Sequence, residues 1–272
     1  MKNRFVRLDK YLVEKKLVGS RSQAQCCIEE GRVTVDGQKV LKAASQICAH
    51  ADVKVDVPEK KWVSRGAYKL LKALDYFGIN PAGCICIDIG ASTGGFTEVL
   101  LSRDASKVFA VDVGYGQLAW KLRSNPRVVA LERTNARYLT LDVFNGQKAD
   151  IIVSDASFIS LKLLLGTMKG LLKRGGRIVA LVKPQFEVGR ERVGKGVVTN
   201  PLVHQEVLMD VAEFAENSAR LTLVNATFSP IRGPEGNIEF LFELAYAEDE
   251  PQKTEIDFAC LVAGAHREAL GK

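Results

Sequence analysis

The feature that most constrains this chain is the run Cys86-Ile87-Asp88-Ile89-Gly90-Ala91-Ser92-Thr93-Gly94-Gly95-Phe96-Thr97. An apolar strand passes directly into a glycine-rich turn and then into a helix. Glycines let backbone N–H groups approach a ligand closely, and a helix starting near Gly94 presents unpaired donors. After that helix ends near Arg103, Lys107-Val108-Phe109-Ala110-Val111-Asp112 reads as a second strand. It closes on a carboxylate where the ribose diol of a nucleotide sits in βαβ folds.

The alternation continues. Strands are predicted near 84–89, 107–112, 127–131, 150–155, 177–183, 221–228 and 238–246, with helices near 94–103, 115–123, 161–173 and 201–217. Arg65 to Phe77 precedes them as an amphipathic helix with Leu70, Leu71, Leu74 and Phe77 inward, and Ile256 to Leu270 should dock as a last helix. This pattern predicts an α/β fold, a doubly wound and mostly parallel sheet whose ligands gather at the carboxyl ends of the strands. The short connection from Ser229 to Asn237 makes the last two strands antiparallel.

Residues 1–62 differ in charge from the rest, with 13 Lys and Arg against 8 Asp and Glu, while the remaining residues carry 25 against 24. A small basic unit on a neutral body suggests a nucleic-acid anchor. Leu8, Tyr11 and Leu12 recur at helical spacing, Ser20-Arg21-Ser22-Gln23 is a capping box for a second helix, and Asp36-Gly37 is a hairpin turn inside Arg32 to Val40. Val53, Val55 and Val57 alternate as a strand. Helix, capped helix and Gly-Arg-Val-Thr-Val-Asp-Gly hairpin resemble the S4 RNA-binding domain. The resemblance implies RNA contacts at Arg7, Lys10, Arg21, Ser22 and Lys42. Residues 1–59 are expected as this unit, 60–63 as a linker and 64–272 as the larger domain.

The run from Gly90 to Gly95 lacks the second glycine of G-x-G-x-x-G, which disfavours a dinucleotide, and no G-x-x-x-x-G-K-[ST] loop exists for a triphosphate. A ligand with ribose and adenine but no phosphates needs only the turn and the acid, as S-adenosylmethionine does. Asp-Ile-Gly-Ala-Ser-Thr-Gly-Gly-Phe-Thr is similar to the cofactor motif of FtsJ-like ribose methyltransferases. Ser64 to Leu70, Asp112 to Leu118, Glu132 to Arg137, Ser157 to Ser160 and Val182 to Glu187 resemble the TlyA branch of that family. The resemblance implies 2′-O-methylation of cytidine in ribosomal RNA (16S, 23S or both), with free RNA or a ribosomal subunit as partner. It implies a Lys-Asp-Lys-Glu tetrad at Lys69, Asp155, Lys183 and Glu239. Its cofactor contacts fall on Gly90, Ala91, Ser92, Gly94, Gly95, Phe96, Thr97, Asp112, Val113, Asn135 and Asp155, and Arg65 joins the RNA contacts.

Methyl transfer from a sulfonium to a hydroxyl requires an oriented hydroxyl and removal of its proton, without a covalent enzyme intermediate. Lys183, closing a strand before a proline, is either a base, which demands a pKa well below a lysine's usual value near 10.4, or a cation that orients the hydroxyl and offsets developing negative charge. Other acceptors fit poorly. A [DN]-P-P-[YF] run for exocyclic amines is replaced by Asp155-Ala156-Ser157-Phe158, and no cysteine for cytosine C5 chemistry lies between Cys86 and Cys260. Phe186 to Asn200, with Arg190, Arg192 and Lys195 among glycines, is expected to be a basic loop gripping RNA. Six cysteines without C-x-x-C spacing argue against a metal. No apolar signal region or membrane-length run is present, so the expectation is a cytoplasmic protein, and a monomer is expected. Two rival readings are a non-catalytic ribosome-assembly factor and the membrane-active protein suggested by the haemolysin label of some relatives.

Overall fold

The computed structural model describes residues 5–56, 62–194, 196–246 and 255–270, apart from the side chains of Ser22, Arg190, Ala269 and Leu270. Val57, Glu59, Lys60, Lys61 and Lys195, which figured in the expected strand, domain boundary, linker and basic loop, lie outside the described residues. The chain divides into two compact units, Met1–Lys61 and Trp62–Lys272.

The first unit runs β1 (Phe5–Arg7), α1 (Leu8–Glu14), α2 (Arg21–Glu29), β2 (Val33–Val35), β3 (Gln38–Lys39), β4 (Gln46–Cys48) and β5 (Val53–Val55). The forward half of the capping box forms, Gln23 N–H donating to Ser20 Oγ at 3.2 Å, while the Gln23 side chain accepts from Gly19 N–H at 2.9 Å, one residue before the cap. Asp36 and Gly37 both take positive φ, as a tight two-residue hairpin between β2 and β3 demands. β5 pairs antiparallel with β2, and Leu8, Leu12, Ile28, Val33 and Ile47 form the core. The pairing of β1 with β4 was not expected, because three residues are too few for alternation to register.

The second unit contains α3 (Ala67–Phe77), β6 (Ile85–Ile89), α4 (Gly95–Ser102), β7 (Lys107–Val111), α5 (Trp120–Arg123), β8 (Val128–Leu131), β9 (Ala149–Ser154), α6 (Lys162–Leu171) and β10 (Leu172–Val182). There follow α7 (Pro184–Glu187), α8 (Pro201–Asn217), β11 (Thr222–Phe228), β12 (Phe240–Ala245) and α9 (Phe258–Leu270). Trp62 and Val63 pack against this unit, and Val63 N–H donates to Glu98 Oε2 at 2.6 Å. One seven-stranded sheet has the order β11-β12-β10-β9-β6-β7-β8. It is parallel from β10 through β8, while β12 runs antiparallel to both β10 and β11. The fold class is the expected one. Strand order reverses between β6 and β9, where a crevice opens at the carboxyl ends of the strands.

The helix expected over 115–123 contracts to four residues. The chain entering it is tied to two carboxylates instead: Gly114 N–H donates to Asp112 Oδ1 at 2.7 Å, and Gly116, at φ +70°, donates to Glu132 Oε1 at 2.8 Å. Two glycines and two carboxylate acceptors outweigh the helical spacing of the apolar residues.

Candidate active site

Four elements deliver four charged side chains to one end of the sheet. The buried stripe of α3 is Ala67, Leu70, Ala73 and Leu74. Lys69 lies on its rim, one turn from Ala73, and is only 6% exposed. Asp155 follows β9, Lys183 follows β10, and the antiparallel β12 starts beside the end of β10, where Phe240 faces Val182. That register brings Glu239, 1% exposed, next to Lys183.

Lys69 Nζ lies 2.6 Å from Glu239 Oε2 and 3.2 Å from Asp155 Oδ2, while Lys183 Nζ lies 2.6 Å from Asp155 Oδ1. Asp155 thus stands between two ammonium groups. Lys183 also donates to the Asp155 carbonyl at 3.2 Å and to Ser157 Oγ at 2.7 Å. Burial by itself would depress the Lys69 ammonium. The charges and hydrogen bonds of Asp155 and Glu239 outweigh it and hold the pKa above the usual lysine value. The four formal charges cancel, which a buried cluster requires.

Beside the tetrad, two adjoining cavities of about 270 and 350 Å³ meet at Gly90, Ser92, Asp155 and Ser157. Gly90 has φ +80°, and a Cβ there would come within 3.0 Å of the Ala156 backbone, so the turn between β6 and α4 admits only glycine at this point. Asp112, at the end of β7, accepts Ser92 N–H on Oδ2 at 2.8 Å and Gly114 N–H on Oδ1 at 2.7 Å. Each oxygen keeps a further acceptor site toward the cavity that Asp112, Val113 and Asn135 line. A carboxylate fixed in this way suits a ribose diol.

Ala91, Ser92, Gly95 and Phe96 line the first cavity together with Lys69, Lys183 and Arg65. Gly94 caps α4 behind them. Thr97 departs from its expected role as a cofactor contact: it is fully buried and donates to Asp88 Oδ2 at 2.6 Å, so it secures the strand end. Asp88 itself is completely buried, and burial pushes its pKa up to about 7. In the other unit, Arg7 and Arg21 converge on Asp9, Lys10 and Lys42 are exposed, and the Ser22 side chain is outside the described set. The segment expected as a basic loop gripping RNA is tied to its neighbours within the unit. Asn237 donates to the Gly196 carbonyl and accepts from Val198 N–H, both at 2.9 Å, and Arg192 pairs with Glu206.

Phe158 lies in the Ser157–Ser160 motif, and its residue type alone assigns it no role there. It is 91% exposed, sits at φ +62°, and packs its ring against Phe186 at 5.2 Å, directly after Ser157. A bulky residue in the left-handed region is a conformational outlier, and such strain clusters at ligand sites. Its position in the loop gives no hint of this in the sequence.

The family profile described as FtsJ-like methyltransferase matches residues 62–246, and that of the S4 domain matches residues 6–53. A 16S/23S rRNA (cytidine-2′-O)-methyltransferase, TlyA, of Mycobacterium tuberculosis is 48% identical over 248 residues, covering 90% of this chain and 92% of that protein. Hemolysin A of Brachyspira hyodysenteriae is 42% identical over 236 residues, covering 87% of this chain and 98% of that one. The solved structure of a hemolysin-named protein from Streptococcus thermophilus superposes with a TM-score of 0.79 at 39% identity, covering 98% of both chains. Among the described residues, no helix is long and apolar enough to cross a membrane.

Proposed function

The chain belongs to the FtsJ-like methyltransferase family, and from that premise we propose that it transfers a methyl group from S-adenosylmethionine to the ribose 2′-hydroxyl of a cytidine in ribosomal RNA. The observation that carries this reading is the buried Lys69–Asp155–Lys183–Glu239 cluster opening onto the same crevice as Asp112. The relative named for cytidine-2′-O chemistry, which matches nine-tenths of the chain, supports both nucleotide and atom.

Asp112 would hold the ribose of the methyl donor, the Gly90–Phe96 turn its methionine portion, and the cavity lined by Val113 and Asn135 its adenine. When bound, the sulfonium supplies an electrophilic methyl carbon and leaves as a neutral thioether. Lys183 has three acceptors in reach, Asp155 Oδ1, the Asp155 carbonyl and Ser157 Oγ. As an ammonium, Lys183 presents three N–H donors, two of which reach the Asp155 carbonyl and Ser157 Oγ. In that form Lys183 orients the incoming hydroxyl in place of Ser157 and offsets negative charge on its oxygen. As the new C–O bond forms, the hydroxyl proton becomes strongly acidic and passes to Asp155, the cluster's more exposed carboxylate. Lys69, 3.2 Å from Asp155 Oδ2 and 2.6 Å from Glu239 Oε2, holds both carboxylates in place. Phe158 offers a face for the base of the target nucleotide.

Ribosomal RNA incubated with labelled methyl donor and the protein should acquire label in alkali-resistant dinucleotides, since a 2′-O-methyl group blocks cleavage at its own phosphate. Mass mapping then gives the nucleotide and shows which ribosomal RNA carries it. Equal labelling by Lys183→Ala, or label only in alkali-labile nucleotides, would overturn the assignment.

A further inference from the structure

In the N-terminal unit a single carboxylate organises the basic surface. Asp9, in the first turn of α1, is completely buried. Arg7, at the end of β1, grips it through two nitrogens, Nε to Oδ1 and NH2 to Oδ2, each at 3.0 Å. Arg21, the first residue of α2, reaches Oδ2 from the other side at 2.9 Å. Lys10 N–H donates to Oδ1 at 2.9 Å, and the backbone N–H of Asp9 donates to the Ala43 carbonyl at 3.1 Å, holding the loop that carries Lys42 against the same helix start. The arginines keep their carboxylate ionised far below the usual range, with the Arg7 hydrogen bond the largest cause.

A guanidinium has five N–H donors. Asp9 engages two of those on Arg7 and one on Arg21, leaving three and four for another ligand. The two side chains remain 39% and 55% exposed. The carboxylate consumes one charge of two and converts two flexible side chains into a fixed pair, so the ordering cost of a tetrahedral oxyanion bridging them is already met.

We propose that Asp9 is the positioning residue of a phosphate clamp formed by Arg7 and Arg21. This rests on the reading of the unit as RNA-binding and adds a residue that carries the wrong sign to touch RNA itself. Charge alone and positioning predict opposite outcomes. Asp9→Asn adds one positive charge to the surface, so a purely electrostatic patch would bind RNA more tightly with a steeper salt dependence.

The experiment measures binding of a fluorescent RNA stem-loop by the full-length chain across a salt series, for the native protein, Asp9→Asn, Arg21→Ala, Arg21→Lys and the Asp9→Asn/Arg21→Ala pair. Positioning predicts roughly tenfold weaker binding for Asp9→Asn and a comparable loss for Arg21→Lys, which keeps charge but loses the fork. It also predicts that Asp9→Asn costs much less when Arg21 is already absent, and that methyl-donor affinity is unmoved. Unchanged or tighter binding by Asp9→Asn overturns the proposal, as does an equal loss in both backgrounds, which marks general loosening of the unit. If Asp9→Asn melts the unit, Arg21→Lys decides: native affinity rejects the clamp. Should Arg21→Ala itself leave affinity and salt slope unchanged, the RNA-binding reading of this surface fails, a result distinct from failure of Asp9 alone.

Discussion

The Lys69 ammonium and the Glu239 carboxylate meet at 2.6 Å across 170 positions of sequence, in a site where neither reaches appreciable solvent. Removing one partner of such a pair leaves the other charged and buried, which costs about 3–5 kcal/mol. Lys69→Met should therefore lower unfolding stability in urea by that order and abolish methyl transfer. Adding Glu239→Leu should restore most of the stability and none of the activity.

Asp112 separates cofactor binding from RNA binding. Asp112→Ala deletes the acceptors of Ser92 and Gly114 N–H together with the proposed ribose contact. Calorimetric titration with S-adenosylmethionine should show at least about tenfold weaker binding. Affinity for RNA should be unchanged, because the N-terminal basic surface is untouched.

Phe158→Ala should lower kcat/KM for RNA by about 1–3 kcal/mol, the range for losing one base–aromatic stack. S-adenosylmethionine affinity should hold, and Phe158→Trp should retain most of the activity. Matching losses for the Ala and Trp variants would argue that the φ +62° backbone, and not the ring, is what matters.

Two buried groups make opposite contributions to the pH dependence of stability. His204, its ring nitrogens on His266 and the Val198 carbonyl, is pushed down from 6.5 to about 4, first by burial and then by His266. Between those values the unfolded chain binds the extra proton, so stability falls as pH falls. Asp88 is pushed up by burial from 3.8 to about 7, so over the same window the native state holds the extra proton and stability rises as pH falls. The two slopes largely cancel. Asp88→Asn should unmask the histidine, and its loss of stability from pH 6.5 to 4 should be steeper than the native protein's by up to about 1.4 kcal/mol per pH unit. Urea denaturation across that range measures the difference.

The sheet was legible because its strands are near-continuous apolar runs separated by glycine or charged turns, and the order of elements then dictates where their carboxyl ends lie. Asp155 and Lys183 could be read as strand ends opening onto one crevice. Lys69 could not be placed from the residues alone, since a lysine beside Leu70 on an amphipathic helix looks like a solvated position. Only the resemblance singled it out, and its burial depends on two acids from distant segments. Thr97 was misplaced because a hydroxyl in the first turn of a helix reads the same whether it faces a ligand or the strand below. The contact of Gly233 with the tetrad is equally invisible in sequence: a Cβ there would come within 2.7 Å of Glu239 Oε1, so a loop glycine sets where a buried acid can lie.

The antiparallel run of β12 also has a consequence for the order in which the protein becomes competent. A growing chain emerges from its amino end, so the S4-like unit, the glycine-rich turn, Asp112 and Lys183 are all made before the strand that brings Glu239. Until that strand inserts beside β10, Lys69 lacks its closest partner. Nascent or truncated chains are thus expected to carry the glycine-rich turn and Asp112 without an assembled Lys69–Glu239 pair, so that transfer waits on the last strand of the sheet.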